Sequence, residues 1–266
     1  MFSNSFIAGM TVCGALCVII PFAAMIFYKK KNRDVRISSF FIGGAVFIVF
    51  ALILEQILHS VMLPVVQKNT VAYVIYGVLA AGVFEETGRF AAFKTVMKSR
   101  TDPKEAVMCG LGHGGTEAIL LAGLSMLGTV IVAVLTNSMG IDAMVSLSSG
   151  GNSETAELVR SQLMTLSTMS IGQMLLSVLE RIIAMTFHTA MSVMVFEAAR
   201  VKGKGGLFPV CILCHAVLDI PAAMYQRQVI SLYAVYPIMA ALTAAAVYFA
   251  VRSYKRTDAR AEGVHE

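Results

Sequence analysis

Two adjacent carboxylates and a guanidinium, Glu85-Glu86-Thr87-Gly88-Arg89, interrupt an apolar run from Val71 to Phe93. A charge at bilayer depth costs about 2.5–3.5 kcal/mol per residue, so such groups default to functional suspects. Further along, other apolar runs carry His113 and Glu117, Glu180 and Arg181, His188, and His215 and Asp219. Glu85/Arg89, His113/Glu117 and His215/Asp219 are i, i+4 pairs, each on one face of a helix. Arg181 and His188 stand seven residues apart, two turns along a common face. This inventory suits hydrolysis. Zinc is held by three N or O ligands with a position left for water, and Glu117, His188 and His215 supply such a set for one ion. Glu85 or Glu86 then takes the proton of that water as general base. Asp219 orients His215 or a water. Arg89 either counters the glutamate pair or stabilises an oxyanion. His113 either bonds a carbonyl across Gly112, Gly114 and Gly115, which permit close helix approach, or joins the chemistry. Arg181 is either the partner of Glu180 or a support for the site.

The elements that position these residues follow from composition. Of 266 residues, 57% are hydrophobic and only 14% charged, with mean hydropathy +0.75. Soluble domains carry about 25% charged residues, so the expectation is an all-α, polytopic membrane helix bundle. Seven apolar segments are read, at roughly 5–28, 37–58, 70–93, 105–136, 166–200, 206–225 and 229–252. Lys29–Arg36, Lys94–Lys104, Arg200–Lys204 and the group Arg252, Lys255, Arg256 and Arg260 fall on one side of that alternation. Lys68, Arg160 and Arg227 fall on the other, which predicts an outside N-terminus and a cytoplasmic C-terminus. Topology thus accounts for the net charge of +5 without a nucleic-acid partner.

The first helix lacks a basic n-region and reads as retained, not as a removed signal peptide. Residues 137–165 read as an outer loop with a short surface helix, or a cap. No internal repeat or second domain is evident, so residues 1–266 read as one integral-membrane domain. All five cysteines lie in apolar runs, against a disulfide framework. Cys211-Ile212-Leu213-Cys214-His215 matches the c-type haem attachment pattern, but its apolar setting favours a core reading. Glu55-Gln56 reads as interfacial, and Glu197 as snorkelling.

Depth unites the candidates. Counted inward from Lys94, Lys104, Arg200 and Lys204, the residues Glu85, Glu86, His113, Glu117, His188 and His215 fall about 12–20 Å from the basic face, at 1.5 Å per residue. The helices expected to carry the site are thus about 70–93, 105–136, 166–200 and 206–225.

EETGR (85–89), GLGHGGTEA (110–118), Glu180-Arg181 followed by Phe187-His188, and HAVLD (215–219) resemble, in order and placement, the motifs of YhfC-like membrane peptidases. These are similar to the PrsW proteases and the type II CAAX prenyl proteases, a superfamily of glutamate-dependent intramembrane proteases. The resemblance implies that the water-activating residue is Glu85 or Glu86. Glu117 stands where CAAX proteases usually have histidine and the PrsW group has glutamate; His188 and His215 match the third and fourth motifs. Asp219 stands where asparagine is common. It further implies a membrane protein or lipid-anchored peptide as substrate, and a multi-pass location in a bacterial cytoplasmic membrane. Two other classes fit a charged layer at bilayer depth. One is an ion-coupled transporter, although many such carriers have internal repeats. The other is a non-catalytic scaffold that binds membrane segments, a role known in the superfamily. Lipid-facing and helix–helix surfaces look alike in such a sequence, so oligomeric state is not legible.

Overall fold

A computed structural model describes residues 1–262, with side chains to residue 258; the side chain of Arg260 lies outside the described residues. The described chain is helical and holds no strand. Its helices are α1 (Asn4–Lys31), α2 (Ser38–Phe47), α3 (Gln56–Val66), α4 (Thr70–Lys94), α5 (Lys104–Glu117), α6 (Leu124–Met139), α7 (Ile141–Ser149), α8 (Ser153–Ser167), α9 (Ile171–Arg200), α10 (Leu207–Gln226) and α11 (Leu232–Glu262). Two π-helical segments, Ile48–Glu55 and Ala118–Gly123, join α2 to α3 and α5 to α6. Among the described residues, seven helical stretches are long and apolar enough to cross a membrane: α1, Ser38–Val66, α4, Lys104–Met139, α9, α10 and Leu232–Asp258. The all-α multi-pass architecture read from the sequence is therefore present.

Local chemistry sets the helix ends. Asn69 caps α4 by accepting from the Ala72 N–H at 3.0 Å. Asp102 accepts from the Lys104 N–H at 2.8 Å where α5 begins, just after Pro103. The stretch expected to be mainly loop, 137–165, is instead largely helical. Gly140 (φ 88°) ends α6, and Gly150 (φ 57°) ends α7 in the left-handed conformation that glycine adopts without strain. Asn152 caps α8, accepting from Thr155 N–H at 2.9 Å. Two helices form there because each has an apolar residue to bury, Val145 on α7 and Leu163 on α8.

The chain divides into two compact units. The first comprises Met1–Ile20 and Ala118–Arg181. Its core joins Phe2 and the α1 residues Phe6, Met10 and Cys13 to Met126, Val145, Leu163, Met174 and Val178. Asn137 fastens the N-terminus within this unit, bonding the Phe2 N–H at 2.8 Å and the Phe2 carbonyl at 2.7 Å.

The second unit comprises Pro21–Glu117 and Ile182–Glu266. Its core gathers Phe93, Met97, Cys109, Phe187, Met191, Phe196, Cys211 and Met239. Glu197, read as snorkelling, is fully buried here: it accepts from Ser253, and from Arg256 at 2.8 and 2.9 Å, which ties α9 to α11. A carboxylate near a helix end turns inward when a fixed guanidinium waits there.

Helix α5 lies directly on α2. A Cβ placed on Gly112 would stand 1.8 Å from the Phe40 carbonyl oxygen, which is backbone and cannot swing aside. Gly112→Ala is expected to destabilise the protein by about 1–3 kcal/mol through forced separation of these helices. Gly128→Ala on α6, with open space at its Cβ, is expected to be neutral or slightly stabilising. Thermal denaturation of both variants in detergent micelles checks the contrast; equal midpoints would remove the close approach as a constraint.

Candidate active site

Helix α4 supplies the centre. Glu85 and Glu86 are consecutive, so their side chains diverge by about 100° around the helix, while Arg89 stands one turn on and lies between them. Arg89 donates from Nη1 to Glu86 Oε1, and from Nη2 to Glu85 Oε2 at 3.3 Å. Its Nη2 also donates to His188 Nδ1 at 2.6 Å, which ties α4 to α9. Glu85 turns to α5, where His113 Nε2 lies 2.8 Å from Glu85 Oε2. Glu86 turns to α10, where His215 Nδ1 lies 2.6 Å from Glu86 Oε1. Glu86, Arg89 and His113 are fully buried.

Small residues make these approaches possible. A Cβ on Gly82 would stand 2.6 Å from the Ile212 carbonyl oxygen, and one on Gly114 would stand 2.7 Å from the Met185 Cα. Gly82 thus lets α4 meet α10 one turn before Glu86, and Gly114 lets α5 meet α9 beside His113. The imidazoles stack into a group, with ring centroids of His113 and His188 at 5.1 Å and of His188 and His215 at 5.4 Å. Phe47 packs edge-on against His113, and Phe187 against His215, fixing both rings.

The remaining candidates attach to this centre. Glu117 Oε2 lies 2.5 Å from His188 Nε2. His215 Nε2 lies 3.5 Å from Asp219 Oδ2 and 3.8 Å from Glu85 Oε1. Eight of the nine candidate residues therefore belong to the second unit and form one network: Glu85, Glu86, Arg89, His113, Glu117, His188, His215 and Asp219. Arg181 belongs to the first unit, where it is bonded through Nε to Glu180 Oε2 at 2.6 Å.

The donor set for a metal ion differs from the one favoured by spacing. Glu85, His113 and His188 each offer a ligand atom, and these atoms all lie within 4.8 Å of one another. One carboxylate and two imidazoles are a usual set for zinc. His215 is instead taken up by Glu86, and Glu117 by His188. Three buried polar atoms in and around the triple have no hydrogen-bond partner: the acceptor Glu86 Oε2, the donor Arg89 Nε, and His113 Nδ1. An acceptor left unpaired at such depth is what a bound ion or its water would satisfy. Arg89 meanwhile meets two members of the triple, so His188 would reach an ion only by releasing its bond to Arg89 or to Glu117. The residues fit a divalent ion.

Sequence reasoning missed a second polar group. Glu55, read as interfacial, is buried; its Oε1 lies 3.2 Å from His59 Nε2, and His59 Nδ1 lies 2.6 Å from the Tyr76 hydroxyl. Glu55 and His59 are an i, i+4 pair, the same signal that marks the other candidates.

A family model described as YhfC intramembrane metalloprotease matches residues 16–240. The chain is 34% identical, over 261 residues, to a Bacillus subtilis (strain 168) protein named "Uncharacterized membrane protein YhfC"; the match covers 95% of this chain and 98% of that relative. No solved structure matches.

Arg89 is the cation that Glu85 and Glu86 share, so Arg89→Met is expected to cost about 3–5 kcal/mol, as for a broken buried ion pair. Arg89→Lys should recover little, because one ammonium cannot span three acceptors as a guanidinium does. Adding Glu86→Gln to Arg89→Met should restore part of the loss. Unfolding by SDS titration in mixed micelles measures all three, and additive effects would show that the pair is not coupled.

Proposed function

The chain belongs to the YhfC intramembrane metalloprotease family, and from that premise we propose that it hydrolyses peptide bonds of membrane-associated substrates at the Glu85–Glu86 cluster. The observation that carries this reading is Glu86 Oε2, a buried carboxylate oxygen without a partner, beside a donor set suited to a divalent ion. In it Glu85, His113 and His188 would hold the ion, with zinc the metal their chemistry favours. When bound, such an ion polarises a water and the scissile carbonyl.

This chain's own residues do the rest. Arg89 and His215 both hold Glu86 Oε1, so the carboxylate cannot turn and Oε2 is presented as the base. Glu86 takes a proton from water as the oxygen joins the acyl carbon, then gives it to the leaving amine as the C–N bond breaks. His215 is a positioning residue, held between Glu86 and Asp219. Arg89 holds Glu86 and His188 in register and offsets the charge of the glutamate pair. The substrate in this reading is a membrane protein or lipid-anchored peptide, cut within a bacterial cytoplasmic membrane.

Glu86→Gln is expected to lower hydrolysis by about 10²–10⁴-fold, the usual scale of general-base loss, while the variant keeps its metal. His113→Ala should lose both metal and activity. His215→Ala should keep the metal and lose activity. Elemental analysis of detergent-purified protein beside cleavage of membrane-reconstituted peptides reads all three. Full activity in Glu86→Gln would remove Glu86 as the base. Metal kept in His113→Ala but lost in His215→Ala would return the ligand role to Glu117, His188 and His215.

A further inference from the structure

A cleft of about 350 Å³ lies among α3, α4 and α10, with His59, Leu63, Tyr73, Val78, Asp219 and Gln226 among its lining residues. Tyr73 lies in the first turn of α4 and Gln226 is the last residue of α10, so both stand at the end of the second unit away from Lys94. There the Tyr73 hydroxyl donates to Gln226 Oε1 at 2.9 Å. Asp219 lies two turns further in along α10, one turn beyond His215. Both nitrogens of His59 are engaged, one by Glu55 and the other by Tyr76, so that ring is a wall and not a ligand.

Asp219 is the carboxylate of the network most open to the cleft. Its side chain is 31% exposed, against 0–13% for Glu85, Glu86 and Glu117. Among the described residues its carboxylate accepts no hydrogen bond, and its ion-pair partner, His215 Nε2, stands 3.5 Å away. No Lys or Arg is among the lining residues. Arg227 stands at the rim, next to Gln226, and is already engaged there, donating to the Gln67 carbonyl at 3.1 Å and lying over the Tyr73 ring at 5.0 Å. A carboxylate inside a membrane-spanning helix is costly unless a cation or strong donor meets it.

We propose that this cleft is a substrate subsite for a cationic nitrogen, an ammonium or guanidinium, with Asp219 as its counter-charge. The proposal rests on the peptidase reading, and it names what that site selects. A volume near the lower bound of ligand pockets admits one side chain with its adjoining backbone. A cation at Asp219 is separated from the base only by His215, so the residue it belongs to lies beside the bond that is cut. The cation comes either from a lysine or arginine side chain or from a free amino terminus.

The test uses the full chain as Glu86→Gln in lipid nanodiscs, with binding of fluorescent membrane-anchored peptides read by anisotropy. The peptides carry lysine, norleucine or glutamate walked through the juxtamembrane positions, each with a free or an acetylated amino terminus. At one position the lysine peptide is expected to bind at least about tenfold tighter than its norleucine match. Tight binding that survives acetylation assigns the side chain as the cation; tight binding of norleucine peptides lost on acetylation assigns the terminus. Asp219→Asn should abolish the preference. At the mouth, away from the catalytic groups, Gln226→Lys should weaken cationic peptides alone, and Gln226→Glu should strengthen them. Binding that is equal for lysine and norleucine peptides and unchanged by acetylation, or a preference that persists in Asp219→Asn, overturns the proposal. Because binding is read without turnover, a chain that prefers cationic peptides yet cleaves none in its wild-type form would sink the peptidase reading and leave the subsite standing.

Discussion

The polar network around Glu85 and Glu86 depends on the Arg89 guanidinium. It is fully buried and makes contact with Glu85, Glu86 and His188 at once, so three groups from two helices share one cation. A planar fork with five donors can serve several acceptors in fixed directions, which an ammonium cannot. Such a centre is not a source of net stability, since desolvation of buried ions is of the same order as their attraction. Its effect is orientation. Glu85 and Glu86 are each held at one oxygen by Arg89, and each is met from another helix by an imidazole.

That orientation needs the helices to meet in the right rotation, and two devices supply it. Glycines remove side chains where backbones touch, as at Gly82 and Gly114. The π-helical segments do the other part. A π-turn takes extra residues per turn, so it rotates the succeeding turns relative to the α-helical register. Glu55 closes one such segment, and the other begins immediately after Glu117. Both carboxylates thus sit at a shift of register, where the faces on either side need not follow one uniform helix.

Much of the site was legible because depth is a one-dimensional quantity. Counting from Lys94, Lys104, Arg200 and Lys204 brings Glu85, Glu86, His113, Glu117, His188 and His215 to one layer, and in the structure they form one network. Which partner each imidazole chooses depends on azimuth, which counting does not give. His113 is turned to Glu85 and His215 to Glu86 by the contacts at Gly114 and Gly82, and an i, i+4 pattern cannot reveal that. Glu55 and Glu197 were placed at interfaces by their distance from apolar run ends. The partners that bury them, His59 and Arg256, are respectively one turn along and in another helix. The helices at Ile141–Ser149 and Ser153–Ser167 were hidden by a Ser- and Gly-rich composition, although their apolar residues and the Asn152 cap suffice to form them.

The two ends of the second unit differ in how they are closed, and that difference bears on access. At the basic end, Glu105 is buried against Ser39, Arg100 and the Arg36 N–H, and Arg200 donates to the Met97 carbonyl at 2.6 Å. Glu197 with Ser253 and Arg256 adds a third clamp. Charge-assisted bonds to a buried carboxylate are strong and hold their geometry. The opposite end is held by the Tyr73–Gln226 bond and by Arg227 on the Gln67 carbonyl, both at exposed positions where water competes. Local opening is drawn from the weakly held end of a structure. By residue count the glutamate pair lies nearer the clamped basic end, yet the cleft that reaches Asp219 opens at the weakly held one. Rigidity close to the glutamate pair and freedom at the far mouth are the combination the proposed peptidase site needs if it is to keep Glu86 aimed while a peptide segment enters.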